Sequence, residues 1–380
     1  MIASMAHHGS GPLAGIRVVE LAGLGPAPHA AMMLADLGAD VVRIDRPGGR
    51  ELDLDGGGAI TRHRRIIEAD LKDPGQREEV MRVVAAADVL VEGLRPGVTE
   101  RLGIGPEHCQ AVNPRLVYGR ITGWGQDGPL AGDVGHDINY VGLTGALHAM
   151  GHADRPPAPP LNLVGDFGGG SMLLLVGILS ALVERERSGL GQVIDAAMVD
   201  GTALLTQLVL AMRPSGAWTD DRYANLLDGG APFYSTYACS DARFVAVGAL
   251  ESRFFRDLAA RMGLARGTEA SRWDRSTWPA LREELTARFA TRTRDEWVTE
   301  FAGTEACVTP VLTFDEAADH PHLAARETFT TVDGTLQAAP APRFSRTPGR
   351  DPQTLRTTDV RVADILAEWG EAGTGSAQVS

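Results

Sequence analysis

The chain has 380 residues, of which 44% are hydrophobic and 22% charged. That is ordinary soluble-protein composition, enough for about two domains, and it excludes collagen-like, disordered and disulfide-scaffold classes. A net charge of −13 and a pI near 5.2 argue against a nucleic-acid binder, which needs a strongly basic face, yet permit a local basic cluster around an anionic small ligand.

Met1–Gly11 has no Lys/Arg-led apolar stretch and reads as a disordered extension rather than a secretory signal. Strand-like runs follow at Ile16–Leu21, Val41–Ile44, Ile66–Ala69, Val89–Glu92 and Leu116–Arg120. Between them lie helical patterns at His29–Leu37, Gln76–Ala86 and Pro106–Val112. Such alternation predicts βαβ units and a mainly parallel sheet. A helix opens near Asp137, a Pro-rich stretch covers Arg155–Pro160, and a long apolar helix runs from about Gly168 to Arg187. Its longest apolar run, Met172–Val183, is shorter than the ~20 residues of a membrane span, so a buried core helix is expected. Gln192–Ala196 reads as a further strand, and Thr202–Met212 as a helix leading away.

After Pro214 the texture changes. Phe233–Ala238 and Arg243–Val247 form a predicted hairpin, followed by helices at Glu251–Met262, Trp278–Ala290 and Asp295–Phe301. A last helix at Val362–Glu368 is expected to return to the first domain. The organisation expected is therefore an extension (1–11), a large α/β domain (12–200, rejoined by 330–380), a linker (201–232) and a small α+β domain (233–329).

Three cysteines, Cys109, Cys239 and Cys307, show no CxxC spacing and suggest neither a zinc site nor a disulfide framework. Cys307, before Val-Thr-Pro, reads as a buried inert thiol. Lys72 is the only lysine among 36 basic residues and sits at a Lys-Asp-Pro-Gly turn, which argues against Schiff-base chemistry. The first βα turn carries Gly23-x-Gly25 with Asp45 beyond it, but a dinucleotide fingerprint needs a third glycine where Pro28 stands. Pro26 and Pro28 also lack the N–H groups a diphosphate requires. Arginines cluster near predicted strand ends, at Arg43, Arg46, Arg62, Arg64, Arg65, Arg95 and Arg101. Their planar forks suit phosphate, so an anionic, nucleotide-like ligand is expected there, with the loop Gly48–Gly58 closing over it.

Acid/base chemistry is best sought where loops open helices: Gly135-His136-Asp137, Val164-Gly165-Asp166 and Gly248-Ala249-Leu250-Glu251. Free N–H groups and positive potential at such points stabilise a developing anion. A plain N-cap is the alternative use of each acid.

These stretches together resemble the α-methylacyl-CoA racemases within the family III CoA-transferase superfamily. The matching text includes Pro12-Leu-Ala-Gly-Ile-Arg-Val-Val-Glu-Leu21, Leu37-Gly-Ala-Asp-Val-Val-Arg-Ile-Asp45, Arg95-Pro-Gly-Val-Thr-Glu-Arg-Leu-Gly103, Gly135–Tyr140 and Leu161-Asn-Leu-Val-Gly-Asp166. It continues through Asp195–Gly201 and Leu227–Pro232 to Val308–Leu312. The resemblance implies a family III CoA-transferase fold, with a large Rossmann-like domain, a smaller α+β domain and an interlocked homodimer. It also implies His136, Asp166 and Glu251 as catalytic residues, and Arg46, Arg62, Lys72, Arg95, Arg101, Asp137 and Tyr140 as contacts to the CoA thioester. The reaction so implied is inversion of the α-carbon of a 2-methylacyl-CoA by 1,1-proton transfer through an enolate, with no metal, flavin or nicotinamide. The alternative within the superfamily is a CoA-transferase with Asp166 as nucleophile. A cytoplasmic enzyme that engages neither membrane nor nucleic acid is expected.

Overall fold

The computed structural model describes residues 10–48, 58–264, 271–352, 356–358 and 360–373. The chain divides into two compact units, one of Met1–Thr144, Leu161–Leu205 and Glu327–Ser380, the other of Gly145–Pro160 and Thr206–Arg326. Two boundaries differ from the sequence expectation. The Pro-rich stretch belongs to the second unit, because Arg222 donates to the carbonyls of His152 and Arg155 and the His152 ring lies 4.2 Å from that of Tyr223. The expected linker is divided between Leu205 and Thr206.

The first unit is built on six strands: β1 (Arg17–Leu21), β2 (Asp40–Asp45), β3 (Arg64–Glu68), β4 (Val89–Glu92), β5 (Val117–Thr122) and β6 (Val193–Ala197). All are parallel, in the order β3-β2-β1-β4-β5-β6. The order reverses between β1 and β4, which opens the crevice where doubly wound sheets receive ligands at the carboxyl ends of their strands. The helices are α1 (Pro26–Asp36), α2 (Pro74–Ala85), α3 (Val98–Arg101), α4 (Pro106–Val112), α5 (Asp137–Leu143), α6 (Met172–Ser188) and α7 (Met198–Leu205). Val18, Val89 and Val117 face a core shared with α1 and α6. Their neighbours Val19, Leu90 and Tyr118 face a second core with α2, α4 and the tail residues Ile365 and Trp369. Burial on both faces explains why these strands read as continuous apolar runs.

α1 starts at Pro26, three residues before its predicted start. Proline suits the first helical turn, where its missing N–H has no intrahelical partner. β3 starts at Arg64, two residues before the apolar run. Arg64 is fully buried and donates to Glu20 at 3.1 Å and to the Pro28 carbonyl at 2.5 Å, while Arg43 of β2 pairs with the same glutamate. Hydropathy cannot reveal a strand whose charge is neutralised across the sheet.

Of the expected extension, Gly11 is packed: a Cβ there would stand 2.2 Å from the Leu37 carbonyl oxygen, and Leu13 N–H bonds that same oxygen. Residues 1–9, like 49–57 of the expected closing loop, lie outside the described residues.

By length and apolar character the continuous segment Leu163–Ser188 could cross a membrane. Its inner face, Leu174, Ile178 and Leu182, is nevertheless core, while Val176 and Val183 are exposed.

In the second unit, β7 (Tyr234–Ala238), β8 (Phe244–Gly248) and β9 (Val308–Val311) form an antiparallel sheet in that order. The hairpin was expected; β9 was not, because it holds Pro310, which suits only an edge strand. Helices α8 (Gln207–Met212), α9 (Ser252–Met262), α10 (Trp278–Phe289) and α11 (Arg294–Phe301) belong to this unit. Phe233, Phe255, Phe289 and Trp297 make its aromatic core.

Buried His63, at φ 63°, lies at the amino edge of the sheet with neither ring nitrogen hydrogen-bonded. Burial lowers its pKa to about 4, with Asp36 opposing and Arg350, Arg62 and Arg64 assisting. The folded pKa is thus below the unfolded value near 6.5. Stability from the neutral ring is complete above pH 6.5 and is lost as pH falls from there toward 4. Between pH 7 and 5 this amounts to about 2 kcal/mol. Urea unfolding of wild type and His63→Asn, a residue that tolerates positive φ, should show that extra acid loss in wild type alone.

Candidate active site

The site lies at the carboxyl edge of the parallel sheet. The short loop after β1 ends at Gly25, which has φ 66° and opens α1. A Cβ on Gly25 would stand 3.1 Å from Asp166 Oδ2. The glycine is therefore explained by a carboxyl group lying over the first βα turn, not by a diphosphate.

Asp166 sits in a wide π-helical turn, Leu163–Ser171, ahead of α6. The Met172 N–H bonds the Phe167 carbonyl five residues back. This turn replaces the start of the helix expected at Gly168. Its glycines serve close packing: a Cβ on Gly201 of α7 would stand 1.8 Å from the Gly169 carbonyl oxygen.

His136 is exposed and caps the N-terminus of α5, with its own N–H bonded to Asn139 Oδ1 at 3.0 Å. The next residue joins the two candidates. Asp137 Oδ1 accepts the backbone N–H of Asp166 at 2.7 Å, so the helix that carries His136 holds the turn that carries Asp166. Gly165 leaves room for this, since a Cβ there would stand 2.5 Å from Asp137 Oδ1. Burial raises the Asp166 pKa, and the Asp137 charge adds to that. A 3.3 Å hydrogen bond from Asn162 Nδ2 opposes it, as does the nearby His136 charge. A carboxyl group with a raised pKa beside an imidazole is an unlike pair suited to taking and returning protons.

Two expected contacts to the thioester have other work here. Asp137 is buried and its carboxylate is committed to Asp166. Tyr140 is buried, donates its hydroxyl hydrogen to the Gly135 carbonyl and lies edge-on to Trp124, with ring centroids 4.8 Å apart. Its ring covers Gly123, where a Cβ would stand 2.0 Å from the ring carbons.

Among the expected CoA-binding cations, Arg46, Lys72 and Arg95 are exposed just beyond β2, β3 and β4, at the carboxyl edge. Arg101 is exposed at the end of α3. Arg62 requires a correction. It precedes β3, at the opposite edge, and only 3% of it is exposed. Its fork closes on Asp36 at 2.8 and 2.6 Å, and its remaining NH1 donates to Gln337. This arginine anchors a two-stranded antiparallel hairpin of the tail, Phe329–Val332 with Thr335–Ala338, to α1 rather than meeting a ligand.

Glu251 belongs to the second unit, where it is exposed and precedes α9 without a side-chain capping bond. Cys307, expected to be buried, is exposed at φ 52°. Its thiol pKa is raised by burial of the sulfur and then by the Glu251 charge. Gly248 and Cys307 line a cavity of about 510 Å³ with Tyr223, Tyr234, Ser235 and Thr309, all within this unit. Among the described residues, no group of three or more His, Cys, Asp or Glu side chains is placed to hold a metal ion.

Sequence reasoning missed Asn162 and His29. Asn162 lies four residues before Asp166 in the quoted motif, and that helical spacing was the available signal. His29 bonds Ser171 Oγ at 2.8 Å and stacks on Phe167 at 4.3 Å. No local pattern joins residues 142 positions apart.

The sequence model of CoA-transferase family III matches residues 13–356. The chain belongs to CoA-transferase family III. This family III chain is 44% identical to the mouse alpha-methylacyl-CoA racemase and 43% identical to the human one, over 94% of its own length and 93% of theirs. It is also 31% identical to an acetyl-CoA:oxalate CoA-transferase of Acetobacter aceti, over 86% of this chain and 87% of that one. A CaiB/BaiF family protein from Brucella suis superposes with a TM-score of 0.80 at 28% identity, covering 95% of this chain and all of that one. The family III fold is thus shown.

Proposed function

We propose that this enzyme is an isomerase, a cofactor-independent 2-methylacyl-CoA racemase. The observation that carries the reading is the Asp137–Asp166 hydrogen bond, which ties an imidazole and a carboxyl of raised pKa into one site. One group removes the α-proton, the other returns a proton on the opposite face, and the enolate oxygen between these steps is held by free N–H groups at the start of α5. Side-chain acid and base suffice for that exchange. Arg46, Lys72, Arg95 and Arg101 bind the CoA phosphates at the carboxyl edge. Identities of 43–44% to proteins named alpha-methylacyl-CoA racemase support the assignment.

The working form is an interlocked homodimer in which the partner subunit's Glu251 orients His136. Support comes from apolar side chains left exposed on the first unit, including Leu143, Leu163, Val176, Val183, Leu204 and Leu205. Large apolar side chains left in water in such number suit a surface that a partner covers. Co-refolding equal amounts of His136→Ala and Glu251→Ala subunits should restore about a quarter of wild-type activity, since half the dimers are mixed and each regains one site. No recovery, with both variants folded and dimeric, would count against a shared site.

The second reading is a CoA-transferase with Asp166 as nucleophile, favoured by the similarity to the Acetobacter aceti enzyme. Adding an acceptor acid and following CoA transfer separates the two.

A further inference from the structure

Asp166 and Gly25 meet across a gap between the π-helical turn and the start of α1. One residue, His29, bridges that gap with its backbone and its ring. The His29 backbone N–H bonds the Gly25 carbonyl at 3.3 Å, so His29 is fixed to the residue beneath the Asp166 carboxyl. Its ring then crosses to the turn. It stacks on Phe167, the residue after Asp166, with an interplanar angle of 24°, and its Nδ1 meets Ser171 Oγ at the far end of the turn. Ser171 is fully buried and donates to the Phe167 carbonyl at 3.1 Å. That hydroxyl has one hydrogen, so with it on Phe167 the oxygen accepts from Nδ1–H of a neutral ring. Burial and the charges of Arg62 and Arg64 act in the same direction, against a protonated imidazole.

We propose that His29 is a positioning residue for Asp166: by clamping Phe167 and Ser171 to the first turn of α1, it fixes the height of the Asp166 carboxyl over the end of β1. The role rests on the reading of Asp166 as a proton-transfer group. His29 takes up no substrate proton.

The test compares His29→Phe, which keeps a ring against Phe167 but loses the bond, with His29→Asn, whose amide nitrogen can replace Nδ1. Ser171→Ala removes the same bond from the other side with little change in volume. For α-deuteration of a 2-methylacyl-CoA in D2O, His29→Phe and Ser171→Ala should each lose about tenfold in kcat with KM within about twofold of wild type. The double variant should lose no more than either single one. His29→Asn should recover to within about threefold of wild type. Unchanged kcat in His29→Phe and Ser171→Ala, with wild type active, overturns the positioning role and leaves the racemase reading intact. Equal losses in both His29 variants, matched by a fall in melting temperature, also overturn it, because a purely structural residue behaves so. Absence of exchange in wild type itself overturns the racemase reading and this role with it.

Discussion

Asp166→Ala and His136→Ala should each lower the rate of α-proton exchange by about a thousandfold, or about 4 kcal/mol of transition-state stabilisation, while acyl-CoA binding stays near wild type. Each substitution removes one of the two proposed proton-transfer groups, and the α-proton of a thioester is too weakly acidic to leave without a base. Neither loss should arise from unfolding. The Asp166 side chain bonds only Asn162 among the described residues, and the Asp137 bond that holds the turn uses the Asp166 backbone, which alanine retains. The two variants also separate the candidate chemistries. In a racemase both lose activity together. In a transferase Asp166→Ala is inactive and His136→Ala still passes CoA to an acceptor acid, because the nucleophile is intact. Isotope exchange and CoA transfer measured on the same three proteins decide between these patterns.

The second large effect concerns packing. Gly201→Ala should cost about 3 kcal/mol or more, or prevent folding. Its Cβ would stand 1.8 Å from the Gly169 oxygen and 2.5 Å from the Gly169 carbonyl carbon, and both obstacles are backbone. No side-chain rotation relieves such a contact, so α7 or the turn that carries Asp166 must move. Gly132→Ala is the matched control, with open space around its Cβ. Thermal melts should show a large drop for the first and almost none for the second. If some Gly201→Ala protein folds, its exchange rate should fall as well, since the displaced turn is the one Asp137 and His29 hold.

The parallel sheet was legible because its central strands are buried on both faces and so read as short apolar runs. Legibility ended where a charge is buried and paired: Arg64 opens β3 on the strength of Glu20, a partner 44 residues away. The glycines at 168–170 read as a helix opening, whereas the wide turn there depends on how closely α7 approaches. The first unit brings His136, Asp137 and Asp166 together as the motifs suggested, but the role of Asp137 was invisible. A residue expected beside the thioester instead holds the Asp166 backbone. Arg62 shows the same limit: composition flagged an arginine near a strand, while only topology reveals which end of the strand it occupies. Cys307 was misread because an apolar sequence neighbourhood says little about exposure at positive φ. Likewise, no local pattern could assign the Pro-rich stretch to the second unit, since that depends on Arg222 and Tyr223.

The most direct measurement is incubation of one pure epimer of a 2-methylacyl-CoA with the wild-type enzyme in D2O, with no acceptor acid. A racemase should place deuterium at the α-carbon by NMR and, on the same timescale, yield the other epimer by chiral analysis, both lost in Asp166→Ala. No deuterium and no epimer across several acyl chains, with CoA transfer once an acceptor acid is added, would contradict it.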